Sequence, residues 1–120
     1  ARLGLARDAA AELEGPRQRA WLDRLETEHP NLRAALSWLI ETGDAERAVL
    51  LAGSLWRFWW LRGLASEGRD WLRRVLALPG AVDPRARVAA LNGAGILAEA
   101  TGDRAASRHL HETALRDARE

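Results

Sequence analysis

Glycine and proline divide the chain into stretches that each have room for one helix. Pro16, Pro30 and Pro84 occupy positions where a proline fits the first turn of a helix, because its missing N–H is not needed there. The tripeptide Thr-Gly-Asp occurs at 42–44 and again at 101–103, where the glycine can end one helix and the aspartate can cap the next. This spacing predicts about seven helices.

The composition favours the same fold class. The chain of 120 residues contains 24 Ala and 20 Leu but only 10 β-branched residues. Alanine, leucine and arginine are strong helix formers, whereas β-branched side chains favour strands. We therefore expect an all-α protein.

Several chemistries are excluded by residue types that the chain lacks. All 18 basic residues are arginine, and lysine and cysteine are absent. The chain therefore offers no Schiff-base or P-loop lysine, no thiol nucleophile and no cysteine-built metal site. The net charge is +1, and the charges are spread evenly, which argues against direct binding of nucleic acid or of a membrane. We expect no enzyme activity, no cofactor and no metal.

Apolar residues at helical spacing indicate one domain of stacked hairpins over residues 1–120. We expect a leading helix over 1–14, followed by helical hairpins over 16–43, 44–80 and 84–119. The segment 44–62 is apolar on nearly every side, so it should lie in the middle of the array. Short connections make neighbouring helices antiparallel.

Two short motifs have ordinary structural explanations. Gly93 to Ala98 matches the G-x-G-x-x-A dinucleotide fingerprint, but no strand precedes it, so the glycines are interpreted as sites of close helix packing. His109 and His111 point to different sides of a helix, and Leu115 stands where a zincin would need its second histidine. We expect His111 to be partly buried and His109 to be solvated.

The last hairpin resembles a tetratricopeptide (TPR) repeat in its leucine, small-residue and Gly-Asp turn pattern. The run from Gly15 to Gly63 is similar to the repeat region of LuxR-type and related signal-transduction ATPases, which are large bacterial transcriptional regulators. The segments that carry this resemblance are AWLDRLE (20–26), EHPNLRAAL (28–36) and LWRFW (55–59). The resemblance implies a cytoplasmic sensor or scaffold region in an α-α superhelix, without the ATPase and DNA-binding domains.

The TPR register, applied to Gly63 and Gly102, predicts a concave binding face. It places Arg57 and Trp60 on one inner helix and Asn92, Ile96 and Glu99 on the next. The hairpin starts at 16, 44 and 84 are unevenly spaced, so we expect a diverged superhelix. Arg57, Trp60, Asn92 and Glu99 are the candidate partner-binding residues.

The six tryptophans divide into core and surface candidates. Tryptophan at helical spacing is usually a core residue, and four of the six are expected to be buried: Trp21, Trp38, Trp59 and Trp71. Trp56 and Trp60 share one helix face, and one of them is expected to be exposed beside Arg57, in a combination typical of binding hot spots.

The leading hypothesis is a non-enzymatic protein–protein interaction module within a bacterial regulator of transcription and signal transduction. Its partner would be a protein, a peptide or a neighbouring domain of the parent chain. The alternative is a small-molecule sensing domain of the same kind of regulator. Self-association through a terminal hairpin stays open.

Overall fold

Most of the residues that the structure describes lie in helices. The structure is a computed structural model that describes residues 2–12 and 17–119. These residues form six helices, and no described residue lies in a β-strand, which confirms the all-α class. The helices are α1 (Arg2–Glu12), α2 (Gln18–Glu41), α3 (Ala45–Leu61), α4 (Ala65–Leu76), α5 (Pro84–Ala100) and α6 (Arg104–Arg119).

The expected break at Pro30 is wrong. Helix α2 continues through Pro30, so residues 18–41 form one helix instead of a hairpin, and the described residues contain six helices instead of seven. An interior proline costs a helix about 3 kcal/mol. That cost is offset because buried side chains recur every three or four residues on both sides of it: Leu22, Leu25, His29, Leu32, Leu36 and Leu39. Pro16 lies outside the described residues.

The two Thr-Gly-Asp turns form as expected. Gly43 and Gly102 have φ values of 72° and 86°, in the left-handed region that glycine tolerates best. Asp44 accepts a hydrogen bond from the backbone N–H of Arg47 at 3.2 Å, and Asp103 accepts one from the N–H three residues further on at 3.0 Å. Each turn therefore ends one helix and caps the next.

Helix α3 lies in the middle of the array, as its all-round apolar sequence predicts. It packs against α1, α2, α4 and α5. Phe58 and Trp59 are fully buried in the core that these helices share. None of the described helices is both long and apolar enough to cross a membrane.

Helices α3 and α5 pack closely and run in the same direction. A β-carbon built on Gly53 would lie 3.4 Å from the β-carbon of Ala90, and three residues further along both helices Trp56 lies against Gly93. Because the two contacts advance together, the helices are parallel. Helices α4 and α6 both pack against α5, but the backbones of α4 and α6 do not contact each other.

Candidate functional site

The structure brings Arg57 and Trp60 together through Trp56. The Trp60 side chain is 47% exposed, and its ring centroid lies 6.1 Å from that of Trp56. The guanidinium carbon of Arg57 lies 4.9 Å from the centroid of the Trp56 ring, within the range of a cation–π contact. Trp56 in turn lies on Gly93 of α5. We call Trp56, Arg57 and Trp60 the Trp–Arg patch.

Asn92 and Glu99 are exposed on α5 and have neighbours from α6. The Oδ1 of Asn92 lies 2.9 Å from Nδ1 of His111. Glu99 lines a shallow depression together with Arg104 and Arg108. The predicted binding residues therefore occupy adjacent helices, with a direct aromatic link inside the Trp–Arg patch and polar contacts towards α6.

The glycines of the G-x-G-x-x-A motif serve helix packing, as predicted. A β-carbon on Gly93 would lie 2.5 Å from Cγ of Trp56, and one on Gly95 would lie 2.6 Å from Nε2 of His111. Each glycine thus accommodates a ring from a neighbouring helix. His111 is half-buried by this packing while His109 is exposed, also as predicted. In residues 2–12 and 17–119, no three metal-type side chains lie close enough together to hold an ion.

The expected burial is confirmed for Trp59 and Trp71, and Trp21 is half-buried. For Trp38 the expectation is wrong, because its side chain is 58% exposed. Trp38 lies between Leu36 and Leu39 on α2, and those two leucines occupy the buried stripe. One residue of offset is enough to turn the indole towards solvent.

A polar cluster that the sequence analysis missed connects α2 to α4. Glu67 accepts hydrogen bonds from Nε and Nη2 of Arg33, at 2.8 and 2.5 Å, and from Nε1 of Trp71 at 3.1 Å. Nε2 of His29 lies 3.1 Å from the same carboxylate, and the His29 ring meets Phe58 edge-on. We call His29, Arg33, Glu67 and Trp71 the Glu67 cluster.

The Glu67 cluster stabilises the ionised carboxylate. The hydrogen bonds from Arg33 lower the pKa of Glu67 to about 2, with smaller contributions from the Trp71 hydrogen bond and the charges of His29 and Arg33. Partial burial works in the opposite direction. A sequence signal existed, since residues 29 and 33 and residues 67 and 71 each have i,i+4 spacing. This spacing alone does not predict that the helix carrying residues 29 and 33 packs against the helix carrying residues 67 and 71.

The sequence analysis also did not anticipate a cleft between α4 and α6. Its volume is about 400 Å³, and α5 forms its floor. Its lining residues are Arg69, Arg73, Leu76, Ala77, Leu91, Ala94, Ala106, His109 and Leu110. The cleft is therefore mainly apolar, with two arginines on the α4 wall and His109 on the α6 wall.

Comparison with known proteins connects part of the chain to transcriptional regulators. A segment of 53 residues, 44% of the chain, is 43% identical to proteins of Mycobacterium bovis and Mycobacterium tuberculosis named "Putative HTH-type transcriptional regulator". The segment spans 6% of the length of these relatives. No protein-family model matches the chain, and no solved structure is a significant match. The similarity is thus to a small part of a much longer regulator.

Proposed function

We propose that this chain is a TPR-like helical-repeat module that binds a protein or peptide within a bacterial transcriptional regulator. The similarity of 53 residues to the mycobacterial regulators supports the regulatory setting. The module acts by binding and not by catalysis. Its partner is a separate protein, a peptide or another domain of the parent chain.

The observation that carries this proposal is the parallel packing of α3 on α5. These two helices meet through small residues such as Gly53 and Ala90, while the backbones of α4 and α6 remain apart. A stack that is tight on one side and wide on the other curves towards the tight side, as helical-repeat arrays do. In this proposal the inner side carries the Trp–Arg patch together with Asn92 and Glu99.

The chemistry of the Trp–Arg patch suits recognition of a partner. An exposed indole offers a large, rigid apolar area, and tryptophan and arginine are enriched at binding hot spots. Stacking on Trp56 holds the Arg57 guanidinium in place, so less entropy is lost when a partner binds. In this proposal Glu99, which is exposed on α5, adds an acidic group, and this favours recognition by local shape and charge pattern over net charge.

DNA binding is assigned to other parts of the regulator. Four arginines that could contact phosphates already form ion pairs between helices: Arg33 with Glu67, Arg62 with Asp23, Arg69 with Asp103 and Arg87 with Asp117. A nucleic-acid surface needs a dense stripe of cations that phosphates can reach.

Selection of displayed peptides on the whole chain tests the proposed binding face. Random peptides are selected against the protein, and their affinities for the parent chain and for variants are measured by calorimetry. We expect Trp60→Ala to weaken the selected peptides by about tenfold or more, as for a hot-spot tryptophan. Trp38→Ala is the matched control, because it removes an indole of similar exposure from α2. Equal affinities for the two variants would remove the Trp–Arg patch from the proposal.

Small-molecule sensing is the second candidate, and the α4–α6 cleft favours it. A volume of about 400 Å³ lies within the range of small-molecule sites. The test is thermal unfolding in the presence of a metabolite panel, since a ligand that binds only the native state raises Tm. A saturable rise that is lost in a cleft variant such as Ala106→Trp would support this candidate. The open side of the cleft counts against it, because small-molecule sites bury most of their ligand.

A further inference from the structure

The α4–α6 cleft has the form of a groove between two parallel walls. Helices α4 and α6 are each antiparallel to α5, so they run parallel to each other on either side of it. Along α4 the lining extends from Arg69 to Ala77. These nine residues, of which Ala77 is the C-cap of α4, span about 12 Å, which is the length of about two turns of a bound helix. This geometry suits an amphipathic helix laid in a hydrophobic groove.

The floor of the cleft is apolar, and its cationic side chains lie on the α4 wall. Leu91 and Ala94 of α5 form the floor, whereas the charged or chargeable lining residues are Arg69, Arg73 and His109. No carboxylate belongs to the lining. An occupant with complementary chemistry presents apolar side chains to the floor and carboxylates to the arginines of α4, and a further carboxylate can accept a hydrogen bond from the His109 ring.

The ion pairs around the cleft leave Arg73 as its main electrostatic contact. Arg69 is engaged by Asp103 at 2.6 Å and by the Thr101 hydroxyl at 3.1 Å. Arg73 donates to Asp70 one turn away on the same helix, and 73% of its side chain is exposed. An exposed pair of this kind contributes little, typically below about 1 kcal/mol, so a partner carboxylate can compete for Arg73.

We propose that the α4–α6 cleft binds an acidic amphipathic helix of a partner protein. About two turns of that helix lie in the groove, with apolar side chains at i and i+3 or i+4 on Leu91 and Ala94. Its carboxylates face Arg73 on one wall and His109 on the other. No residue of the Trp–Arg patch lines the cleft, and neither Asn92 nor Glu99 does, so the two sites can be tested separately.

The probe is a synthetic acidic peptide about three turns long, with leucines at helical spacing and glutamates elsewhere. A side-chain lactam bridge holds it helical, because short peptides are otherwise largely unfolded. Binding to the whole chain is measured by fluorescence anisotropy. We expect saturable binding that is lost when lysines replace the glutamates or when serines replace the leucines. Absence of binding by the glutamate peptide, or equal binding by the lysine peptide, would overturn the proposal.

Variants of the protein locate the binding site. We expect Arg73→Glu to weaken the glutamate peptide by about tenfold or more and Arg73→Gln to weaken it less, since the first variant reverses the charge and the second only removes it. Arg85→Glu is the matched control, because Arg85 is exposed on α5 and is not part of the cleft lining. Equal losses in Arg73→Glu and Arg85→Glu would place the peptide elsewhere.

A further variant and a spectrum separate this site from the Trp–Arg patch. We expect Trp60→Ala to leave the affinity for the acidic peptide unchanged. Amide chemical shifts should change at Leu91, Ala94 and Leu110 on binding. Shifts confined to residues around Trp60 would overturn the cleft assignment while supporting the proposed function.

Discussion

The α3–α5 contact and the α2–α4 contact are stabilised by different kinds of interaction. Where α3 meets α5, small residues and rings interlock, as in the packing of Trp56 on Gly93. Where α2 meets α4, the Glu67 cluster joins the helices through a carboxylate that accepts three hydrogen bonds from Arg33 and Trp71. The first contact depends on shape and the second on charge.

Because of this difference, the α3–α5 contact is sensitive to side-chain size, whereas the α2–α4 contact is sensitive to pH and salt. Packing of a ring against a glycine is lost if even one carbon atom is added, but it does not respond to protons or salt. A charged contact tolerates small changes of shape and responds to pH through its carboxylate. The two contacts can therefore be broken separately.

The largest effect is expected at the α3–α5 contact. Gly93→Ala places a β-carbon 2.5 Å from Cγ of Trp56, an atom at the base of the side chain that cannot move aside freely. We expect the free energy of unfolding to fall by about 2 kcal/mol, even though alanine is the better helix former. Urea denaturation measures this change.

Gly53→Ala is the control for that prediction. Its β-carbon would lie 3.4 Å from the β-carbon of Ala90, which is an ordinary contact. Higher helix propensity then raises stability by up to about 1 kcal/mol. If both variants were equally stable, the interlocking of α3 and α5 would not depend on Gly93.

A smaller effect is expected at the α2–α4 contact. Glu67→Gln keeps the shape of the side chain but removes the charge that Arg33 and His29 surround. We expect a loss of about 1 kcal/mol at neutral pH, because the cluster is partly exposed and solvent screens it. Unfolding of the parent and the variant in urea tests this. A loss as large as that of Gly93→Ala would mean that charge and shape contribute alike.

The smallest effect is expected in acid, and it distinguishes the two contacts. The pKa of Glu67 falls from an ordinary value of 4.5 to about 2, so its contribution is complete above pH 4.5 and is lost as the pH falls towards 2. The stability difference between the parent chain and Glu67→Gln should therefore shrink over that window. The difference caused by Gly93→Ala should stay constant. A constant difference for both variants would show that the Glu67 carboxylate is not stabilised in its ionised form.

The sequence predicted helices and turns well where local chemistry decides them. The two Thr-Gly-Asp turns and the central position of α3 follow from capping residues and from apolar spacing. Pro30 favours a helix break because a proline suits the first turn of a helix, but the apolar spacing of Leu25, Leu32 and Leu36 continues unchanged across it. That continuity was visible in the sequence and predicts a single helix.

The candidate sites depend on contacts between distant segments and were harder to predict. Arg57 and Trp60 were selected from the TPR register, and they lie close together because they are three residues apart on one helix. The Glu67 cluster and the α4–α6 cleft were not found, since each needs the pairing of helices that are not adjacent in the chain. Trp38 shows the same limit, because its exposure depends on which face of α2 meets α3.

The continuity of α2 through Pro30 has a mechanical consequence. Proline has no N–H, so the carbonyl of Glu26 lacks its usual helical partner, and this point is the weakest along the axis of the helix. Before Pro30, Asp23 of α2 forms an ion pair with Arg62 at the end of α3. After Pro30, Arg33 of α2 forms an ion pair with Glu67 of α4. If α3 moves relative to α4, α2 should therefore bend at residue 30 and not move as a rigid body.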